Sequence, residues 1–166
     1  MPAISAIGRQ ARGAEMKRPL EPYARLYDAV SARLGPQRFP LLIGIDGANG
    51  CGKSSTASWL AWQFGMKAIH LDLYTDHGTR ALTTCADEVA RLINRRVGQE
   101  KKPMIVEGIL LLEALATVGR KPDVLVFVDG EPSGSSLAGR ILGYWSQYQP
   151  REKADFVVTG HNAALT

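Results

Sequence analysis

An α/β fold in three layers, with a five-stranded parallel sheet covered by helices on both faces, is what this chain of 166 residues predicts. Two observations carry the prediction. Short apolar runs recur between segments with helical spacing, from Leu41 to Val158. Each run is apolar throughout instead of alternating, as strands buried on both faces are. A third is local: the first run passes through a glycine-rich turn straight into a helical segment.

The elements follow in order. Leu20, Tyr23, Leu26, Tyr27, Val30 and Leu34 fall at helical spacing, and Gly35-Pro36 stops that helix. The first strand is expected over about 40–46, and after the glycine turn a helix runs to about Gly65. A second short strand over 67–72 ends in polar residues and gives way to a loop through Asp76-His77-Gly78. Ala81 to Val97 reads as an amphipathic helix, with Leu82, Cys85, Val89, Leu92 and Ile93 on one face. The third strand covers 103–108, and Ile109 to Val118 is a helix or turn ended by Gly119. The Val-Leu-Val-Phe-Val run between Asp123 and Asp129 is the clearest strand of all. Ser133 to Gln149 reads as a helix, weakened by Gly134, Gly139 and Gly143. Asp155 to Thr159 closes the sheet.

The bulk numbers bound the function. Apolar content of 45% and charged content of 22% are those of a soluble globular protein. No apolar run is long enough to span a bilayer, and the N-terminus lacks a signal-peptide pattern, so a cytoplasmic location and no membrane partner are expected. Cys51 and Cys85 have neither metal nor disulfide spacing. The net charge of +4 is concentrated in residues 1–18, where Arg9, Arg12, Lys17 and Arg18 face Glu15 alone. Four cations on a Gly- and Ala-rich segment read as a flexible, solvated arm and do not make a nucleic-acid footprint.

The chemistry begins at Gly47-Ala48-Asn49-Gly50-Cys51-Gly52-Lys53-Ser54, which spells G-x-x-x-x-G-K-[ST] between a strand and a helix. In that context the pattern is a phosphate-binding P-loop. Its glycines let backbone N–H groups turn inward around a phosphate, and the helix N-terminus adds partial positive charge. Residues 47–55, through Ser55, are therefore the expected nucleotide contacts. Lys53 would reach the β- and γ-phosphates of a nucleoside triphosphate, and the Ser54 hydroxyl would ligate Mg²⁺. Cys51 within the loop reads as a small outward-facing residue in preference to an activated thiol.

Ligands of parallel sheets bind at the carboxyl ends of the strands. Lys53, Ser54, Asp72, Glu107 and Asp129 each follow or end a strand and should converge at one edge. Glu107 ends a strand in very apolar surroundings, where a carboxylate is costly unless it serves a cation or hydrogen bonds. It reads as a Mg²⁺-shell acid, with a solvated strand-end acid as the alternative. Asp72 is either the carboxylate on the acceptor side or a turn cap. Asp46 reads as a hydrogen-bond acceptor for loop amides, and Asp129 as a turn former before Gly130. His70 reads as a packed strand histidine, with a hydrogen bond near the site as the alternative, and Trp59, Trp62 and Phe64 read as packing groups in preference to a base-stacking platform.

The segments Ile43-Gly44-Ile45-Asp46-Gly47, Gly52-Lys53-Ser54-Ser55, His70-Leu71-Asp72-Leu73-Tyr74 and Ile105-Val106-Glu107-Gly108-Ile109-Leu110 together resemble the uridine kinase family. That group has the nicotinamide riboside kinases and phosphoribulokinase as relatives. The resemblance spans roughly residues 40–160 and extends to Val126-Phe127-Val128-Asp129, Arg140-Ile141-Leu142 and Ala154-Asp155-Phe156-Val157-Val158. It implies a P-loop NTPase fold and a single P-loop kinase-like domain over 19–166. It also implies that Lys53 and Ser54 handle phosphates and Mg²⁺, Asp72 is the general base for a sugar hydroxyl, and Glu107 is the Mg²⁺-side acid. The chain departs from the family in three places. Leu71-Asp72-Leu73-Tyr74 stands for Asp-x-Phe-Tyr, the interval from Asp72 to Glu107 is short, and the arginine-bearing lid is reduced to one clear match, Arg140. Arg80, Arg91, Arg95 and Arg96 could substitute, although a solvated helix face explains them as well.

The expected activity is thus an ATP- and Mg²⁺-dependent kinase acting on a hydroxyl of a small-molecule acceptor, a nucleoside or related metabolite. The alternative is a degenerate nucleotide-binding module that regulates a protein partner without phosphorylating an acceptor. A hydrolytic NTPase is disfavoured, because neither a water-positioning Gln nor an Asn-Lys-x-Asp pattern is evident.

Overall fold

All five predicted strands form one parallel sheet in a computed structural model that describes residues 23–76, 81–82, 85–132 and 135–159. The strands are β1 (Leu42–Gly47), β2 (Lys67–His70), β3 (Met104–Glu107), β4 (Val124–Val128) and β5 (Phe156–Val158). Their order is β2-β3-β1-β4-β5, so β1 lies at the centre, where the winding reverses direction. That reversal opens a crevice at the carboxyl ends of the strands. The expected arm over 1–18 and Arg80 lie outside the described residues. No described helix is long and apolar enough to cross a membrane.

The continuous apolar runs are explained by two cores. Ile43, Ile45, Ile105, Val124, Val126 and Val128 pack beneath α1 (Tyr23–Leu34) and α2 (Lys53–Phe64). The alternate residues Leu42, Met104, Val106 and Leu125 pack beneath α3 (Ala86–Ile93) and α4 (Leu111–Thr117). Period-two geometry sends neighbours to opposite faces, and both faces are covered. Gly44 permits the close approach of α4, since a Cβ there would meet Leu111 Cδ2 at 2.8 Å. At the amino edge, Asp123 Oδ2 accepts the Leu42 N–H at 2.7 Å and Asp155 Oδ2 accepts the Leu125 N–H at 2.8 Å. These carboxylates satisfy amides for which the sheet supplies no carbonyl.

Several expectations need correction. The second strand ends at His70, and Asp72 sits in a single 3₁₀ turn, Leu71–Leu73, that follows it. The third helix starts at Ala86 in place of Ala81, because the Ala81 carbonyl accepts the Asp76 N–H at 3.0 Å and closes a loop. It then widens to a π-helix over Asn94–Gln99. The helix α5 (Ser135–Tyr148) persists through Gly139 and Gly143, both exposed, because Ile141 and Tyr144 anchor its inner face. A short helix α6 (Pro150–Lys153) follows α5 directly. Trp59 and Phe64 do pack, against Tyr23 and Tyr27 at centroid distances of 4.8 Å. Trp62 does not; it is 73% exposed.

Candidate functional site

The loop from Gly47 to Gly52 joins β1 to α2 with backbone conformations that side chains resist. Gly52 has φ +96° and caps α2 with no side-chain hydrogen bond, so the first amides of that helix are not satisfied by a side chain. A Cβ on Gly47 would meet the Val128 carbonyl oxygen at 2.4 Å, a backbone clash with β4 that leaves glycine alone compatible with the site. Lys53 is buried at 6% exposure, and its Nζ donates to the Ala48 carbonyl. The long cationic side chain therefore folds over the loop. Uncapped amides at a helix start, a bare backbone and a cation together form a cradle that fits a polyphosphate.

Cys51 differs from its expectation. It is buried and points inward, with Sγ donating to the Ala48 carbonyl at 2.9 Å. Gly130 makes room for it, because a Cβ there would meet Cys51 Cβ at 2.7 Å. Burial pushes the Cys51 thiol pKa up, against the pull of Lys53, which is the opposite of an activated nucleophile. The residue ties the loop to the end of β4.

On the β3 side, Ser54 Oγ donates to Glu107 Oε1 at 2.9 Å across 53 residues of sequence. The same oxygen lies 2.7 Å from His70 Nδ1. Strand register brings this about, since His70 pairs with Glu107 in the β2–β3 ladder. A carboxylate only accepts, so this contact places the proton on Nδ1. Glu107 is 2% exposed, and its two partners explain how a carboxylate is tolerated there. Among the described residues no group of three or more His, Cys, Asp or Glu could hold a metal ion. The oxygen donors of Ser54 and Glu107 suit a hard cation that takes its remaining ligands from phosphates and water, which is the habit of Mg²⁺.

Asp72 is exposed, and among the described residues its side chain has no hydrogen bond or ion pair. Its turn is set against the end of β3. A Cβ on Gly108 would meet Leu71 Cβ at 2.9 Å, so the glycine after Glu107 lets the Asp72 turn seat there. The chain then passes through Leu110, which is buried with φ +59°. A non-glycine residue in that region costs on the order of 1–2 kcal/mol, here offset by burial among Ile141 and Tyr144.

On the other flank, Asp46 is fully buried. Its Oδ1 accepts the Gly47 N–H at 2.7 Å, as the sequence suggests, and its Oδ2 accepts the Tyr144 hydroxyl from α5. Desolvation raises the Asp46 pKa to about 7, although Tyr144, the Gly47 amide and Lys53 all pull it down. The Tyr144 oxygen also accepts the Leu112 N–H at 3.0 Å. Sequence reasoning missed this bridge; for His70 it offered a hydrogen bond near the site as the lesser alternative and did not name Glu107 as the partner. The α5 stripe of Ile141, Tyr144 and Tyr148 marked a buried face, but nothing local signals a partner 98 residues away.

Three of the predicted arginines are engaged with carboxylates of the protein. Arg140 NH2 lies 2.6 Å from Glu113 on α4. Arg95 and Arg96 both pair with Glu100, at 3.3 and 2.8 Å, and Arg91 is exposed on α3. Asp129, expected as a turn former, lies instead in irregular chain after β4 and pairs with Arg151 at 3.1 Å.

No protein-family model and no curated protein matches the chain. Among solved structures it is similar to a possible uridine kinase from Bacillus stearothermophilus, at 15% identity and a TM-score of 0.54, over 81% of this chain and 99% of that one. A sugar kinase from a Janibacter species aligns at 14% identity, a TM-score of 0.45, and 72% and 84% coverage. An uncharacterized protein from Eubacterium ventriosum aligns at 14%, 0.41, and 72% and 87%. The fold of this chain is that of a P-loop kinase.

Proposed function

We propose that this chain is an ATP- and Mg²⁺-dependent small-molecule kinase that phosphorylates a hydroxyl of a nucleoside or related metabolite. The observation that carries the reading is the Ser54–Glu107 hydrogen bond at the mouth of the glycine loop. It joins a hydroxyl and a carboxylate suited to a hard cation beside a cradle suited to phosphate. When bound, ATP·Mg²⁺ supplies the phosphoryl group and neutralises its charge. Lys53 and the loop amides hold the phosphates, Ser54 and Glu107 position the cation, and His70 orients Glu107. Asp72 is the general base, accepting the proton of the acceptor hydroxyl; an exposed carboxylate with no partner among the described residues is available for that work. Arg140 is the cation proposed for the transferring phosphate, and to serve it must leave Glu113.

That engagement of Arg140, with α5 running through the short α6 into β5 and the one arginine of α6, Arg151, paired with Asp129, favours a second reading: a nucleotide-binding module that regulates a protein partner. A coupled ADP-release assay with ATP·Mg²⁺ against nucleosides, vitamins and sugars separates the two. Acceptor-dependent release that vanishes in Lys53→Ala is expected of the kinase. Nucleotide binding with no acceptor stimulating turnover would transfer the conclusion to the regulatory reading.

A further inference from the structure

Away from the glycine loop, a cavity of about 440 Å³ opens between α4, α5, α6 and the start of β4. That volume falls within the range of small-molecule sites. Its floor is apolar, built from Leu112, Ala116, Pro122, Leu125 and the Tyr148 ring, and its rim carries Arg120, Lys121 and Lys153. Among the described residues, none of those three side chains has an ion-pair partner, and none bonds a side chain of the protein. The one acid at the cavity, Asp155, is already committed: Arg33 holds Oδ1 at 2.7 Å and the Leu125 amide holds Oδ2 at 2.8 Å.

The backbone is bent to build this rim. Gln149 adopts φ +50° between α5 and α6, a left-handed conformation that a non-glycine residue resists. That bend turns the chain sharply after Tyr148 and brings Lys153 back over the cavity. Three uncompensated cations around an apolar floor repel one another, and an anion relieves that repulsion. Inorganic phosphate alone would leave the floor empty, and a neutral apolar molecule would leave the cations unpaired. The chemistry asks for both parts in one molecule.

We infer that this cavity is a second ligand site, for a small amphipathic anion with a flat apolar body and one phosphate or carboxylate group. Two of its lining residues, Leu112 and Tyr148, contact Tyr144, which in turn holds Asp46 before the glycine loop. Leu112 lines the cavity and donates its amide to Tyr144, whose ring lies 5.0 Å from that of Tyr148 and whose hydroxyl holds Asp46.

The test is calorimetric titration of the full chain with 1-naphthyl phosphate, with inorganic phosphate and 1-naphthol as the half-ligands. Saturable one-to-one binding is expected, at least about tenfold tighter than either half-ligand. Two variants on exposed positions, Lys121→Glu with Lys153→Glu and separately Ala116→Trp, should each weaken it by about tenfold or more while thermal melting stays that of a folded protein. Lys53→Ala should leave it intact. Loss of binding in Lys53→Ala would mean that the probe occupies the glycine loop and would overturn the inference. Weakening by charge reversal but not by Ala116→Trp would reduce the site to surface attraction and overturn it equally.

Discussion

On the β3 side of the glycine loop, Ser54, His70 and Glu107 meet around one carboxylate oxygen, and Asp72 after β2 is exposed with no side-chain partner among the described residues. On the α5 side, Asp46, Tyr144 and the Leu112 amide close on one another, and Arg140 closes on Glu113. Both flanks are rich in polar side chains, yet among the described residues it is the first that holds an exposed, unpartnered carboxylate, Asp72. A buried polar group that is fully satisfied by protein fixes a conformation, whereas one left facing a cleft is available to a ligand. The flank toward β3 therefore reads as chemistry and the flank toward α5 as scaffold, with Arg140 as the residue proposed to change sides.

The strongest way to break that division is Asp72→Asn. Among the described residues its carboxylate has no contact to lose, so stability should be unchanged and nucleotide affinity retained. Turnover on a responsive acceptor should fall by roughly 10²–10⁴-fold, the range for removing a general base. Unchanged turnover in single-turnover kinetics would return Asp72 to the status of an exposed turn residue.

Asp46 tests the scaffold side through pH. Its folded pKa of about 7 lies above the ordinary value of 3.8, so between those limits the folded protein holds a proton that the unfolded chain releases. Stability then falls as pH rises from about 4 to 7 and levels off above that. Over the full window the loss is on the order of a few kcal/mol. Asp46→Asn keeps an acceptor for Gly47 and offers a donor to the Tyr144 oxygen, and it does not titrate. Its melting temperature should gain on the parent between pH 5 and pH 8. A constant difference across that range would show that the carboxyl is not titrating there.

Glu107→Gln sharpens the chemical side. Glutamine can still accept from Ser54 and His70, so the fold around β3 should hold, but the charge is gone. The Mg²⁺ concentration needed for half-maximal turnover should rise by about 10–100-fold. An unchanged Mg²⁺ requirement would place Glu107 with the scaffold.

The sheet was legible because strands buried on both faces leave unbroken apolar runs, and the glycine loop because Gly47 and Gly52 occupy conformations or contacts closed to other residues. Glu107 could be singled out because a carboxylate inside Met-Ile-Val and Ile-Leu-Leu has no bland reason to be there. Boundaries were legible only to within a few residues. Strand two appeared to reach Asp72 because Leu71 is apolar, but Leu71 packs on Gly108 from a 3₁₀ turn. Contacts decided by register or by distant packing left no local mark: His70 opposite Glu107, Tyr144 on Asp46, and Cys51 seated against Gly130. A small residue in a loop looks the same in sequence whether it faces out or in.

The smallest effect decides the status of Arg140. Its pair with Glu113 is short at 2.6 Å, but the two side chains are 42% and 30% exposed, and solvent screens such a contact. A double-mutant cycle of Arg140→Ala and Glu113→Ala, read by denaturant unfolding, should give a coupling below about 1 kcal/mol. A pair that weak is readily exchanged for a phosphate, because a doubly charged anion in the crevice outbids a screened carboxylate. Glu113→Ala should accordingly leave turnover intact or raise it, while Arg140→Ala lowers it. A coupling well above 1 kcal/mol, or equal turnover in both variants, would put Arg140 on the scaffold flank with Tyr144, and the β3 side would then hold every side chain that the chemistry uses.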